Sequence, residues 1–226
     1  MNGQDLVLSH LVQQPRVGSV KPPLLILLHG VGSSEQDLFG LASYLDPRFL
    51  ILSARGPLTL MRGSYAWFQV QWSGTRPIAN PEQADSSRQK IVEFIGQAVD
   101  AYHADANRVY LMGFSQGAIM SLSIMLTQPE LLAGVAALSG RILPHVRKQA
   151  VPPERLDGFP VLVQHGVQDQ VLSIEYGRDS RDYLESLPVD LTYREYEMGH
   201  QITDESLHDL TTWLSAQLDK RSGEAG

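Results

Sequence analysis

Unbroken apolar runs recur along the chain at 24–28, 49–52, 109–112, 135–138 and 160–163, each bounded nearby by Gly, Pro or Ser. Runs of four or five residues without polar alternation predict strands covered on both faces, as in a parallel sheet. Between them the period lengthens. Ile91, Phe94 or Ile95, Ala98 and Tyr102 share one face of a helix predicted over 83–103, and Leu207, Leu210, Leu214 and Leu218 share one face of another over 203–219. Further helices are predicted over 116–128, stopping at Pro129, and after Ser173. A last strand, 190–198, mixes charge with Leu191, Tyr193 and Tyr196, as expected nearer a sheet edge. Strands that alternate with helices in this way define the α/β class.

One long stretch fits neither period. Residues 53–85 are rich in Gly, Pro, Ser and Asn and carry Tyr65, Trp67, Phe68 and Trp72, which predicts a structured loop with a functional role. The closing RSGEAG reads as a frayed tail from about residue 220. With 226 residues, 43% of them hydrophobic, and no internal repeat or linker, the expectation is a single domain over 1–226.

Charge and composition then exclude several classes of function. The formal net charge is −7, and the only adjacent basic pairs are Arg147-Lys148 and Lys220-Arg221, so neither nucleic acid nor an anionic membrane is an expected partner. The amino-terminal MNGQDLVLSHLVQQ has no basic segment followed by an apolar one, and the run 24–28 is far short of the roughly 20 residues that span a bilayer. A soluble, cytoplasmic protein without stable membrane insertion is expected. There is no cysteine, so any nucleophile must be another residue.

The sequence GFSQG, residues 113–117, sits between the predicted strand at 109–112 and the helix that follows. Gly113 and Gly117 suit a sharp strand-to-helix turn with Ser115 at its apex, the nucleophile-elbow arrangement. A serine hydroxyl needs a base oriented by a carboxylate, and in this elbow type the order along the chain is Ser, Asp or Glu, His. Asp169 lies beyond the carboxyl end of the strand at 160–163, the edge where active groups of parallel sheets collect. Asp157 precedes that strand, and Asp179 and Asp182 fall in a predicted helix. Of the two later histidines, His200 directly follows the last strand, whereas His208 lies on the polar face of the last helix and is read as solvated. The oxyanion donors are expected to be the backbone N–H groups of Gln116, after the nucleophile, and Val31, in the glycine-rich turn HGVGSS. That turn lacks the Lys of a phosphate-binding loop and the third Gly of a dinucleotide fingerprint. His29 and His165 show no ligand spacing and are read as structural, Met112, Met120 and Met125 as core fillers, and no metal or cofactor is expected.

In their order along the chain, LLILLHGVGSSEQDL, GFSQGA, HGVQDQV and MGHQI resemble the carboxylesterase and acyl-protein thioesterase family of small α/β-hydrolases over roughly residues 20–215. The resemblance implies a mostly parallel sheet with helices on both faces, the triad Ser115, Asp169 and His200, and the oxyanion amides of Val31 and Gln116. Its YAWFQV stretch looks like an aromatic segment near the pocket. Ala118 stands where the elbow often continues with a second Gly, and Ser33-Ser34-Glu35 replaces an Asp-containing turn common among the thioesterases. The expected activity is therefore a serine carboxylesterase acting on short- to medium-chain esters, without a large cap domain. The alternatives are a thioesterase or lysophospholipase-like activity on longer chains, and a noncatalytic binding protein on the same fold. Trp67, Phe68, Leu58 and Met120 are the expected pocket residues. The apolar content near 58–72 suits a pocket rim or a homodimer contact.

Overall fold

The computed structural model describes residues 5–74 and 76–223. Its elements run in the order β1 (His10–Gln13), β2 (Leu24–Leu28), α1 (Gln36–Phe39), β3 (Leu50–Ala54), β4 (Leu58–Met61), β5 (Ser64–Ala66), β6 (Val70–Ser73) and β7 (Arg76–Ala79). There follow α2 (Pro81–Tyr102), β8 (Val109–Phe114), α3 (Gln116–Thr127), β9 (Gly134–Leu138), α4 (Pro144–Gln149), β10 (Pro160–Gly166), α5 (Ile174–Glu185), β11 (Asp190–Tyr196) and α6 (Asp204–Gly223). Seven strands form one sheet in the order β1-β3-β2-β8-β9-β10-β11, parallel throughout except for β1, which pairs antiparallel with β3.

Each apolar run became a central strand because its neighbours cover both of its faces. In β2, Leu24, Ile26 and Leu28 enter one core, where Ile91, Phe94 and Ala98 of α2, the buried face of α3 and Leu184 of α5 pack against them. Leu25 and Leu27 point the other way, into a second core closed by Leu38 of α1 and by Leu210, Leu214 and Leu218 of α6. Side chains that alternate across a strand explain why no polar residue interrupts the run. Helix α3 is buried from Gln116 to Leu126, and its polar Ser121 and Ser123 donate to the carbonyls of Gly117 and Ile119 at 2.9 and 2.7 Å. The predicted helix at 83–103 starts two residues earlier, with Asn80 as its cap: the Asn80 side chain accepts from Gln83 N–H at 3.0 Å and Pro81 opens the first turn.

Residues 53–85 are more ordered than a loop. They form two hairpins, β4–β5 and β6–β7, with Gly63 and Gly74 at their turns in the left-handed region, φ 77° and φ 62°. These strands are three or four residues long and lie outside the main sheet, so they carry no long buried face for a period to reveal. Trp72 falls in β6, and its side chain lies outside the described residues. Strand β1 was not expected either; its four half-buried residues show no apolar alternation. At the other end α6 continues as helix to Gly223, past the predicted end at 219, and residues 224–226 of the expected tail lie outside the described ones. Among the described residues no helix is long and apolar enough to cross a membrane.

Candidate active site

The chain turns from β8 into α3 at Ser115, which is held at φ 54° and ψ −114°. A non-glycine residue in this region costs on the order of 1–3 kcal/mol and persists only where its surroundings fix it. They do so here. Ser115 N–H donates to Leu138 O at 2.8 Å, and Ser115 O accepts from Ile119 N–H at 3.1 Å. The flanking glycines are required by contact: a Cβ on Gly113 would overlap the Gly117 carbonyl, and a Cβ on Gly117 would overlap the carbonyl of Leu28 in β2. The turn is therefore pressed against the neighbouring strand, and its serine projects at the carboxyl edge of the sheet.

Two later loops meet it there. The loop after β10 carries Asp169, and the loop after β11 carries His200. They are bound to one another by Val167 N–H to Tyr196 O at 2.9 Å and Gln168 N–H to Met198 O at 3.1 Å. His200 Nε2 lies 2.9 Å from Ser115 Oγ, and His200 Nδ1 lies 2.6 Å from Asp169 Oδ2. The Phe114 ring packs on the imidazole at 4.9 Å between centroids. Asp169 Oδ1 accepts from the Val171 and Leu172 amides, both at 2.8 Å. Burial pushes the Asp169 carboxyl up, but its bonds to His200 and the two amides outweigh burial and hold it below the usual carboxylate value. It is thus an anion at neutral pH, and Nδ1 of His200 donates to it, which leaves Nε2 free to accept the Ser115 proton. His208 is exposed on α6, Asp157 is exposed before β10, and Asp179 and Asp182 are paired on α5 with Arg147 and Arg181.

The turn after β2 closes the other side. Val31 and Gln116 both border the cavity beside Ser115, and among the described residues neither backbone N–H donates to a protein acceptor. The turn is braced by Gly32 N–H to Tyr65 O at 2.8 Å and by the pairing of Ser33 with Tyr65. His29 donates from Nδ1 to Gly30 O at 2.6 Å and accepts at Nε2 from Gly56 N–H at 2.9 Å, a neutral tautomer consistent with burial lowering its pKa. His165, also buried, donates from Nε2 to Leu172 O at 2.7 Å. Among the described residues no group of three or more His, Asp or Glu is placed to hold a metal ion.

Glu35, noted in the sequence as a departure, has a structural partner. Its buried carboxylate takes both arms of the Arg55 guanidinium, with Nε at 2.6 Å, and Arg55 in turn lies over the Tyr65 ring. The pair ties the Val31 turn to the end of β3 and to the first hairpin. The Arg55 bond is the largest influence on Glu35 and holds its carboxyl below 4.5. A depressed carboxylate stabilises the fold above its unfolded pKa and loses that contribution as pH falls through the folded one. Glu35→Gln should therefore lower stability by about 1–3 kcal/mol at pH 7. In urea unfolding, the gap to the wild type should close as pH falls below 4.5; a gap that stayed constant with pH would exclude the charge as its cause.

The cavity beside Ser115 encloses about 420 Å³. Of the four expected pocket residues, Phe68 lines it. Trp67 is fully buried behind the turn, where its indole N–H donates to His29 O at 2.9 Å. Leu58 lies in β4 outside the lining, and Leu60 lines the cavity instead. Met120 is buried in the core, and Ile119, four residues after Ser115 and hence above it on the same helix face, takes the lining position. No local motif announces the role of the Gln116 side chain, which accepts from Trp67 N–H at 3.0 Å and donates to Phe68 O at 2.8 Å. It clamps the wall of the cavity to the elbow. Arg141, Val171 and Leu172 are among the other lining residues, and nothing in their local sequence pattern marks them.

A mostly parallel sheet with the elbow serine after β8, the aspartate after β10 and the histidine after β11, all at its carboxyl edge, is the layout of an α/β-hydrolase. The chain belongs to the phospholipase/carboxylesterase family, whose model matches residues 12–218. It is 30% identical to acyl-protein thioesterase 1 of Kluyveromyces lactis over 90% of this chain and 96% of that one. It is 26% identical to a probable SOBER1-like carboxylesterase of Arabidopsis thaliana, over 92% of this chain and 83% of the relative. Among solved structures, a Bacillus cereus carboxylesterase superposes with a TM-score of 0.81 at 26% identity, covering 94% of this chain and 96% of that one. The protein is a carboxylic ester hydrolase.

Proposed function

We propose that the chain is a serine carboxylesterase that hydrolyses short- to medium-chain carboxylic esters in two acyl-transfer steps. His200 Nε2 takes the Ser115 proton as the hydroxyl attacks the ester carbonyl, and the oxyanion is held by the N–H groups of Val31 and Gln116. The imidazolium, stabilised by Asp169, then gives its proton to the leaving alcohol. Water repeats the sequence on the acyl-enzyme, releasing the acid and restoring the serine. The observation that carries this reading is the unbroken hydrogen-bonded series from Asp169 through His200 to Ser115, at 2.6 and 2.9 Å, opening onto a cavity.

The shape of the cavity supports the acyl-chain range. Val31 and Gln116 border it but His200 does not. The leaving group must pass His200, so the cavity takes the acyl part. Its volume of about 420 Å³ lies toward the lower end of small-molecule sites, roughly 300–1,000 Å³. The test is hydrolysis of p-nitrophenyl esters and of matched thioesters with acyl chains of about two to sixteen carbons, since a pocket discriminates by up to about 3 kcal/mol per methylene. An optimum at short or medium oxygen esters is expected. A preference for long-chain thioesters would replace this reading with a thioesterase one, which the likeness to the Kluyveromyces lactis protein favours.

A further inference from the structure

We infer that Arg141 and Pro77 together limit the length of acyl chain the enzyme accepts, by walling off the cavity beside Ser115 from a second one that longer chains could enter. The inference rests on the serine-esterase reading and deepens it by naming what bounds the substrate. The second cavity encloses about 700 Å³, and among the described residues Pro77 and Arg141 line both spaces. These two are bonded to one another, with Arg141 Nη2 donating to Pro77 O at 2.7 Å. A bonded pair that faces two adjoining cavities is a partition between them.

Both sides of the partition are anchored. Pro77 is buried in β7 of the second hairpin. Arg141 comes from the loop after β9, which leaves the sheet beside the elbow, where Leu138 O accepts from Ser115 N–H. Ser139 follows at φ 51° with its N–H on Gln164 O at 2.8 Å, and a Cβ on Gly140 would overlap the methyl group of Ala118 on α3. After Arg141, Ile142 N–H donates to Ser180 Oγ of α5 at 3.1 Å. The backbone before and after Arg141 is thus fixed, and only its side chain crosses to the hairpin.

The guanidinium also lies over the Tyr176 ring of α5, 4.8 Å from its centroid. An acyl chain long enough to reach the wall must push the guanidinium off the Pro77 carbonyl and this ring. It offers neither a hydrogen bond nor an aromatic face in return, so the displaced contacts are lost outright. A shorter chain stops before the wall and loses nothing, which makes the limit a step rather than a slope. Beyond the wall, Ile78, Ile142, Leu143 and the Tyr176 ring offer apolar surface to an alkyl chain. Glu175 and Asp179 also line that space, so a chain ending in a carboxylate would be repelled there.

The experiment measures kcat/KM for p-nitrophenyl butyrate, hexanoate, octanoate, decanoate and laurate. In the wild type the values should fall by about tenfold or more between two successive esters of the series. Arg141→Ala should raise the ratio of laurate to butyrate about tenfold by joining the two cavities. Adding Ile78→Trp, which places bulk in the second cavity and outside the first, should remove most of that gain. A ratio that Arg141→Ala leaves unchanged overturns the inference, and so does a gain that Ile78→Trp does not reduce. If the variants do not fold, the wild-type series decides: an abrupt fall supports the partition, and a smooth decline or none overturns it. Butyrate turnover that survives in Ser115→Ala would instead overturn the esterase reading on which the inference rests.

Discussion

Ser115→Ala should lower kcat for a neutral ester such as p-nitrophenyl butyrate by about 10⁶-fold, close to the loss seen when a serine hydrolase is stripped of its nucleophile. The side chain removed is a single hydroxyl whose partner is His200 Nε2 at 2.9 Å, so little else should change. Alanine keeps the Cβ and therefore inherits the same left-handed backbone, φ 54°, that Gly113, Gly117 and the Leu138 carbonyl impose. Thermal unfolding should be nearly unaffected. Residual catalysis of about 10³–10⁴ over water is expected from the Val31 and Gln116 amides and from binding alone. A fluorophosphonate should label the wild type on the peptide that contains Ser115 and leave the variant unlabelled. Ser139 provides an internal comparison: it is also buried and left-handed, at φ 51°, but among the described residues its hydroxyl has no hydrogen-bond partner and hence no base. Labelling of Ser139, or undiminished turnover by Ser115→Ala, would exclude Ser115 as the nucleophile.

What the sequence revealed and what it concealed divide along a physical line. The central strands were legible because burial on two faces removes polar residues altogether, as in 24–28 and 135–138. The elbow was legible because close approach to Leu28 admits only glycine at 117. Asp169 and His200 could be chosen over Asp179 and His208 because strand ends fix which edge of a parallel sheet a loop occupies. The hairpins at 58–79 were not legible, since their strands gain order from pairing and from the Gln116 clamp rather than from a buried face of their own. The choice of Ile119 over Met120 as a lining residue turns on about 100° of helix rotation, which apolar identity alone does not encode. The bracing of the Val31 turn by Glu35 and Arg55 joins residues 20 positions apart through side-chain geometry, and no local motif announces it.

Asp169→Asn should lower kcat by about 10⁴-fold while leaving the fold in place, and the reason lies in the partners of the carboxylate rather than in its charge alone. Oδ1 accepts two backbone N–H groups, from Val171 and Leu172 at 2.8 Å each, and cannot be replaced there by an NH₂ group without setting donors against donors. Asparagine must therefore keep its carbonyl on those amides and turn its NH₂ toward His200 Nδ1, now 2.6 Å away in the place of an acceptor. To receive that N–H the imidazole has to carry its proton on Nε2, the nitrogen that faces Ser115. A base with its lone pair on the wrong side cannot take the serine proton, and the imidazolium that forms during attack has also lost its counter-charge. The substitution thus acts through the tautomer, so binding should survive: KM for a neutral ester should change little while kcat falls. Glu35→Gln should not show this pattern, because its bond lies in the Val31 turn and not in the proton path. An Asp169→Asn enzyme within tenfold of wild-type kcat would mean that another group orients His200, and the series from Asp169 to Ser115 would lose its role in the reaction.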